Sequence, residues 1–272
     1  MKRFFIVISI SIIVFAIINI SLVYFTSYTI DLPEPNLPQS NRIANKDGTI
    51  TQLDNFQNSP YVELDDVSEY LKNAIVSIED HRFYHHSGVD YYRIIRVTAS
   101  NILSGNLVQA GASTITQQFS RNAYPFLSQE KVLSRKITEA ATALQVERNY
   151  SKDQILELYL NLVHVGHGLY GVESASNYFF GKSSSEVTLG EAATIAGLLK
   201  GPGYFSPYVS IEKSKEQRDI VLYRMAELGY ISEELAAMEA ALPLLTIRDD
   251  SNINDLKGAW NYPVKYKWIL YQ

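Results

Sequence analysis

The segment EDHRFYHHSG, residues 79–88, concentrates acid–base side chains directly after an apolar stretch. Apolar residues recur at helical spacing over 67–78, which predicts a helix that ends at Glu79 and Asp80. Partial burial raises the pKa of a carboxyl toward the range useful to a general base, and His86 is near enough in sequence to hydrogen-bond Glu79. For such a segment taken alone, a charged helix end is the simpler interpretation.

A second group of polar residues suits phosphate. Lys131, Arg135 and Glu139 are spaced at i, i+4 and i+8, so they project from one helix face, with Lys136 beside them. If this face is enclosed, cations beside one carboxylate form a pyrophosphate site. If the face is solvated, the same residues form an ordinary salt-bridge surface, and the spacing leaves both interpretations open.

Two more segments carry groups that could join such a site. Small and hydroxyl residues in GASTITQQFSRN, 111–122, predict a helix start whose free N–H groups suit sugar hydroxyls or phosphate, and an ordinary N-cap has the same residues. Lys200 stands at the end of a small-residue helix, where a lysine also offsets the helix dipole. Sequence spacing alone does not show that these groups converge.

The composition excludes several classes of protein. Of the 272 residues, 46% are hydrophobic and 19% are charged, which is enough for a sizeable core. A net charge of −5 without a dense Lys/Arg run argues against nucleic acid as a partner. Because cysteine is absent, a disulfide framework, a thiolate nucleophile and a Cys-ligated zinc site are all excluded.

The N-terminal segment Phe4–Phe25 contains 22 residues without a charge. A helix of that length reaches about 33 Å and spans a bilayer, whereas the apolar region of a cleaved signal peptide runs only about 7 to 15 residues. Lys2 and Arg3 precede the segment and acidic residues follow it. The positive-inside rule therefore predicts a single-pass protein with its N-terminus in the cytoplasm and its body outside.

The sequence pattern of the rest of the chain is typical of a nearly all-helical protein. A Pro-rich spacer at 32–39 precedes two short alternating runs around Asp47-Gly48, which predict a small hairpin. Capping boxes at 151–154 and 188–191 mark later helix starts. No internal repeat and no further alternating strands are evident, so an all-α fold is expected.

Taken together, these segments closely resemble glycosyltransferase family 51, the peptidoglycan glycosyltransferases found as monofunctional enzymes and as modules of class A penicillin-binding proteins. The match covers roughly residues 61–245. Five family motifs occur in order: E-D-x-x-F-x-x-H-x-G at 79–88, S-T-I-T-Q-Q at 113–118, R-K-x-x-E at 135–139, Y-L-N at 159–161 with G-K at 181–182, and the E-A-A…K-x-P region at 191–202.

The resemblance implies an all-α, lysozyme-like domain behind one N-terminal transmembrane helix, and polymerisation of lipid II into glycan strands with inversion. Glu79 matches the base that deprotonates the acceptor hydroxyl, and Glu139 matches a second glutamate beside the departing undecaprenyl pyrophosphate. Further residues match substrate-binding positions of the family: Asp80, Phe83, His86, Thr114, Gln118, Arg121, Lys131, Arg135, Lys136 and Lys200.

The same resemblance implies the setting of the protein. The expected partners are lipid II, the growing glycan strand, the bacterial cytoplasmic membrane and other cell-wall synthesis and division proteins. No cofactor is expected to be required. A divalent cation such as Mg²⁺, bound at the pyrophosphate, is a candidate. The expected domains are a cytoplasmic start and transmembrane helix at 1–28, a linker and hairpin at 29–60, the glycosyltransferase domain at 61–247 and a tail at 248–272.

Departures from the family pattern are few. Arg121 stands where lysine is frequent, Phe179 where tyrosine is usual, and Leu199 and Gly203 alter the last motif. Two S-x-x-K tetrads occur without a K-T-G motif, so no penicillin-binding domain is expected within these residues. A lytic enzyme on a similar fold and an inactive scaffold are the alternatives, and the cations near Glu139 argue against the first.

Overall fold

The fold is described from a computed structural model of the chain. It describes these residues: 18, 20–29, 32–33, 35, 42–44, 50–52, 60–104, 113–129 and 132–247. In chain order the helices are α1 (residues 20–29), α2 (Glu69–Glu79), α3 (Tyr91–Ser104), α4 (Ile115–Ala123), α5 (Val132–Asn149), α6 (Lys152–Leu162), α7 (Val172–Phe180), α8 (Leu189–Leu198), α9 (Pro202–Phe205), α10 (Ile211–Glu227) and α11 (Glu233–Ala241). The strands are β1 (Arg42–Ala44), β2 (Ile50–Gln52), β3 (His164–Gly166) and β4 (Leu169–Tyr170), and short 3-10 helices cover Leu64–Asp66, Phe83–His85 and Pro125–Gln129.

The chain divides into two compact units. The first comprises residues 1–37 and 82–159, and the second comprises residues 38–81 and 160–272. The first unit therefore holds α1, α3, α4, α5 and most of α6, whereas the second holds α2, α7 to α11 and both pairs of strands.

In the first unit, α5 supports α1. Val23 of α1 packs with Val89 and with Ala140 and Ala141 of α5 in one apolar cluster. At the end of α1, the carbonyl oxygen of Ser27 accepts hydrogen bonds from Gln145 Nε2 at 2.6 Å and Arg148 Nη1 at 3.2 Å. The guanidinium group of Arg148 also lies 4.1 Å above the Tyr28 ring. Both apolar packing and polar contacts thus join α1 to α5.

In the second unit, α8 is the central helix. Nearly all of its residues are small or apolar and buried, as expected for a helix covered on every side. It packs against α2 and α10. A Cβ at position 197 would lie 3.0 Å from Cγ of Gln217 on α10, so glycine permits this close approach.

The helix α10 in turn holds the end of α11 through a buried guanidinium group. Arg218 is only 2% exposed, and its Nη2 donates to the carbonyl oxygens of Ala240 at 3.1 Å and Leu242 at 3.0 Å. Lys215 Nζ adds a 2.7 Å bond to the Ala240 oxygen. Carbonyl groups at the end of a helix lack partners within it, and this is how those of Ala240 and of Leu242, the residue after α11, are satisfied.

Several sequence predictions are confirmed. The first hairpin pairs β1 with β2 in antiparallel register, and α2 ends at Glu79. The capping box at Thr188 is present. At Ser151, the backbone N–H bonds Gln154 Oε1 at 2.9 Å and the hydroxyl accepts from the Gln154 N–H at 3.2 Å.

The expectation of an all-α fold is correct only in its main part, because the fold is mostly helical with a second hairpin. Strands β3 and β4 pair in antiparallel register at HVGHGLY, residues 164–170, where no further strands were expected. Strands of three and two residues are too short to display an alternating pattern.

Most of the predicted transmembrane segment, Phe4–Phe25, lies outside the described residues. In the part of the chain that the structure describes, none of the helices is both long enough and apolar enough to cross a bilayer.

We expect Glu239→Gln to stabilise the protein at neutral pH. Burial raises the pKa of Glu239 above its ordinary value of 4.5, Arg218 opposes this shift and Glu191 adds to it. Because the pKa of Glu239 is higher in the folded than in the unfolded protein, its protonated carboxyl contributes to folding stability. This contribution is complete below about pH 4.5 and is lost as the pH rises through the pKa of the folded state. Thermal unfolding should therefore show a higher Tm for the variant at pH 7 and no difference at pH 4.

Glu234→Gln, an exposed glutamate on the same helix, is the control and should change Tm little at either pH. An equal gain for Glu239→Gln at both pH values would contradict the role of burial.

Candidate active site

The residues predicted from sequence divide between the two units. Lys131 lies outside the described residues. The second unit contains Glu79, Asp80 and Lys200. The first unit contains Phe83, His86, Thr114, Gln118, Arg121, Arg135, Lys136 and Glu139.

A buried carboxylate on α5 is the centre of the site in the first unit. Glu139 is 0% exposed, and Lys136, one turn earlier, places its Nζ 2.9 Å from Oε1. The Nη1 atom of Arg121, on α4, lies 3.7 Å from Oε2. Because the Lys136 and Arg121 side chains are 45% and 40% exposed, solvent reaches the cations and not the carboxylate. Two cations beside one carboxylate leave a net positive face that suits an anion.

Arg135, four residues before Glu139 on α5, adds a third cation to this group. It is half-buried, and its Nε–H has no hydrogen-bond acceptor among the described residues. A buried donor without an acceptor costs free energy unless a ligand or water supplies one. Lys136 differs, since its Nζ also donates to Ser113 Oγ at 3.1 Å. Arg135 is therefore the side chain on this face that still needs an acceptor.

The start of α4 is held in place through Thr114. Its hydroxyl accepts from the Gln117 N–H, Gln117 Oε1 accepts from the Thr114 N–H, and the same hydroxyl donates to the carbonyl of Gly88. Gly88 has φ of +86°, and a Cβ there would lie 2.7 Å from the carbonyl oxygen of Ala143 on α5. Only glycine fits this position, which brings the segment after His86 against α5 and α4.

A second buried carboxylate was missed by the sequence analysis. Glu147 Oε1 accepts from Thr116 Oγ1 of α4 and from Lys152 Nζ of α6, both at 2.6 Å. The Lys152 ammonium also lies 4.3 Å from the centre of the Phe83 ring, which is 0% exposed. Glu147 follows Glu139 by eight residues and so lies near the same face of α5. This spacing is the only feature of the sequence that could have indicated Glu147.

Two more predicted residues are held by aromatic side chains. Gln118 is half-buried, and its Oε1 accepts from the hydroxyl of Tyr159 on α6 at 3.2 Å. The His86 ring packs edge to face with Phe83 at 6.3 Å between centroids. Phe83 is thus a buried support beneath the more exposed residues of its motif.

In the second unit, Glu79 is the last residue of α2. It is half-buried, whereas Asp80 is 1% exposed and donates its N–H to the Val76 carbonyl at 3.0 Å. Lys200 is exposed immediately after α8, with its Nζ 5.8 Å from the centre of the Phe205 ring. The carboxylate and the cation are thus presented at the ends of two packed helices.

The motif residues Lys182 and Glu191 have a structural role. Lys182 Nζ lies 2.9 Å from Glu191 Oε2, and the same oxygen accepts from the Thr188 N–H at 2.8 Å. This arrangement fixes the start of α8, since the carboxylate closes the capping box and the lysine neutralises it.

Asn161 of the Y-L-N motif holds the segment that precedes α2. Its Oδ1 accepts from the Val62 N–H and its Nδ2 donates to the Val62 carbonyl, both at 2.8 Å. Gly171 has φ of +82°, and a Cβ there would lie 3.0 Å from the Asn161 carbonyl oxygen. The Asn161 side chain thus bonds both backbone groups of Val62, as a neighbouring strand in a β-sheet would.

Within the described ranges, no group of three or more His, Asp or Glu side chains is arranged to hold a metal ion. The carboxylate of Glu139 is engaged by two cations, which are poor neighbours for a divalent metal.

Comparison with known proteins identifies the class. Residues 46–226 match the transglycosylase family model. Penicillin-binding protein 1A of Aquifex aeolicus is 39% identical over 236 residues, which are 85% of this chain and 32% of that protein. Penicillin-binding protein 2a of Streptococcus pneumoniae is 46% identical over 177 residues, 65% of this chain and 23% of that protein. The match to the crystal structure of penicillin-binding protein 1A from Haemophilus influenzae covers 80% of this chain and 22% of the crystallised chain. The sequence identity is 25% and the TM-score is 0.43.

The chain is an enzyme of the peptidoglycan glycosyltransferase class. It belongs to the transglycosylase family, since the family model matches residues 46–226. The chain spans a third or less of the length of the Aquifex aeolicus and Streptococcus pneumoniae proteins named above.

We expect Asn161→Ala to destabilise the protein by at least about 2 kcal/mol, because it leaves the N–H and carbonyl of Val62 unpaired in a buried setting, at about 1 to 3 kcal/mol for each. Chemical unfolding followed by circular dichroism measures this loss. Asn149→Ala, at an exposed site on α5, is the matched control. A loss for Asn161→Ala no larger than that of the control would show that water replaces both bonds.

Proposed function

We propose that this enzyme polymerises lipid II into β-1,4 glycan strands for the bacterial cell wall, with inversion and release of undecaprenyl pyrophosphate. The proposal is supported by membership of the transglycosylase family and by the cations around Glu139. Lipid II is both donor and acceptor in this reaction, so the site must hold a pyrophosphate and activate a sugar hydroxyl.

The observation that carries the proposal is the pairing of Arg121 and Lys136 with the buried Glu139, with Arg135 four residues earlier on the same helix. Negative charge grows on the pyrophosphate as its bond to the anomeric carbon breaks, and cations that are already oriented stabilise that charge without further reorganisation. The Arg135 Nε–H, which has no acceptor among the described residues, suits a phosphate oxygen. Glu139 holds two of these cations in position.

Glu79 is the proposed general base. Its carboxylate takes the proton from the 4-hydroxyl of the acceptor GlcNAc as that oxygen attacks the anomeric carbon of the donor MurNAc. The bond from this carbon to the pyrophosphate breaks, and its electron pair leaves with undecaprenyl pyrophosphate. A half-buried carboxylate at a helix end is suitably placed for such a role.

The remaining residues proposed to bind substrate also come from both units. Asp80 and Lys200 in the second unit, and His86, Thr114, Gln118 and Lys131 in the first unit, are proposed to bind substrate, with Phe83 as support in the first unit. For Thr114 and Phe83 the contacts within the protein favour a structural contribution, since Thr114 caps α4 and Phe83 is buried.

We also propose that the protein is anchored in the cytoplasmic membrane by Phe4–Phe25, with the catalytic domain outside. The uncharged segment and the preceding Lys2 and Arg3 support this orientation. The polyprenyl tail of the substrate remains in the bilayer, so an anchor keeps the enzyme where its substrate is. Other cell-wall synthesis and division proteins are the proposed partners in that compartment.

We expect Glu79→Gln to reduce polymerisation of lipid II by about 10² to 10⁴-fold, which is the usual contribution of general-base catalysis. The amide is nearly isosteric with the carboxylate and cannot accept the proton. Polymerisation of labelled lipid II, followed by separation of glycan strands, measures the rate. Unchanged Tm would show that the fold is intact.

Glu69→Gln is the control, because Glu69 lies at the other end of α2 with 78% of its side chain exposed. Retention of more than about a tenth of wild-type turnover by Glu79→Gln would remove Glu79 from the role of base. Shortened fragments from preformed glycan, without strand synthesis, would instead indicate a lytic enzyme.

We expect Arg135→Ala and Lys200→Ala each to lower turnover strongly and to change acceptor affinity little. Both cations are proposed to act on the pyrophosphate, whose charge rises in the transition state. Turnover and apparent acceptor affinity are measured with saturating donor. Arg224→Ala, which removes a cation paired with Glu227 on α10, is the control. A weaker acceptor affinity at unchanged maximal rate would contradict the assignment.

A further inference from the structure

The tip of the β3–β4 hairpin has an unusual backbone. Within the described residues, His167 is the only residue other than glycine with a positive φ, at +53°. Its neighbours Gly166 and Gly168 are also left-handed, with φ of +87° and +75°. Glycine adopts this conformation readily, whereas a residue with a Cβ does so at a cost and persists only where surrounding contacts hold it.

Those contacts come from the segment after α8. His167 Nε2 lies 2.8 Å from the hydroxyl of Ser206, which is 0% exposed. The ring also packs against Tyr178 and Tyr208, with centroids 5.2 Å and 6.0 Å away. His167 is exposed overall, so its ring forms a cover over a buried hydroxyl.

The hairpin tip contacts both ends of the short helix α9. At its start, a Cβ at position 166 would lie 3.0 Å from Cβ of Pro202, so glycine permits this contact. At its end, Ser206 Oγ bonds His167 and also accepts from the Tyr208 N–H at 3.2 Å. Residues 202–206 are therefore fixed against the hairpin at two points.

Lys200 lies two residues before this fixed segment. On its other side, the Leu199 N–H bonds the Ala196 carbonyl at the end of α8. The backbone around Lys200 is thus held by α8 before it and by the hairpin through α9 after it. The side chain itself is exposed, so its direction depends on these two supports.

We propose that His167 is a positioning residue that orients Lys200 by holding α9 through Ser206. This inference rests on the proposed function, in which Lys200 acts on the pyrophosphate of the donor. His167 does not touch the substrate in this proposal. It acts through the 201–206 segment alone.

The test is a double-mutant cycle on full-length protein with labelled lipid II as substrate. His167→Ala should lower kcat about tenfold and change KM little, since misplacement of a group by about 1 Å can cost up to 10²-fold in rate. In a Lys200→Ala background, the same substitution should lower kcat by less than about twofold, because its effect passes through Lys200.

Two variants separate positioning from folding. His167→Asn should recover most of the rate, since asparagine tolerates a left-handed backbone and its amide can bond Ser206. Ser206→Ala removes the bond without altering the hairpin backbone and should reproduce the loss seen for His167→Ala. His164→Ala is the matched control, because His164 is exposed on the same hairpin and packs against Tyr170.

Additive losses in the cycle, or wild-type kcat for Ser206→Ala at unchanged Tm, would overturn the inference while leaving the proposed function intact. Full activity of Lys200→Ala would refute the assigned role of Lys200 and this inference together. Absence of strand synthesis by the wild-type protein would refute the proposed function itself.

Discussion

The pairing of one buried carboxylate with exposed cations is the constraint on which the first unit depends. Glu139 is fully buried, and a charge in that setting is tolerated only with close partners. Lys136 supplies one partner from the same helix, and Arg121 supplies the other from α4. Since the cations reach solvent and the carboxylate does not, the interaction that stabilises the site also leaves positive charge facing outward. The same three side chains thus join α4 to α5 and present positive charge to solvent.

Keeping α4 and α5 together requires contacts beyond this pair. Thr116 of α4 donates to Glu147 of α5, and the Gly88 carbonyl receives the Thr114 hydroxyl. Because Gly88 has no Cβ, it approaches the α5 backbone closely while its carbonyl bonds Thr114 at the start of α4. Gly88 thus contacts both helices. Several motif residues therefore belong to the support of the site, and a motif by itself does not distinguish contact with substrate from support of a residue that makes it.

The second unit uses the same devices to present Glu79 and Lys200. The helix α8 is buried on all sides, so its ends are defined, and Lys182 with Glu191 fixes its first turn. Asn161 holds the segment before α2 by pairing with Val62. Each of these two side chains thus lies at or just after the end of a helix that is held by buried contacts. Exposed residues such as Lys200 gain a defined direction from backbone that is held on both sides.

The sequence by itself determined the features that depend on near neighbours. The capping boxes at Thr188 and Ser151 join residues three apart, and α2 ends at Glu79 because its apolar pattern stops there. Only the tertiary structure decided that Arg121 meets Glu139 and that Glu147 meets Thr116. These contacts join separate elements, so they depend on how whole helices and strands pack, and no local periodicity or spacing encodes that arrangement.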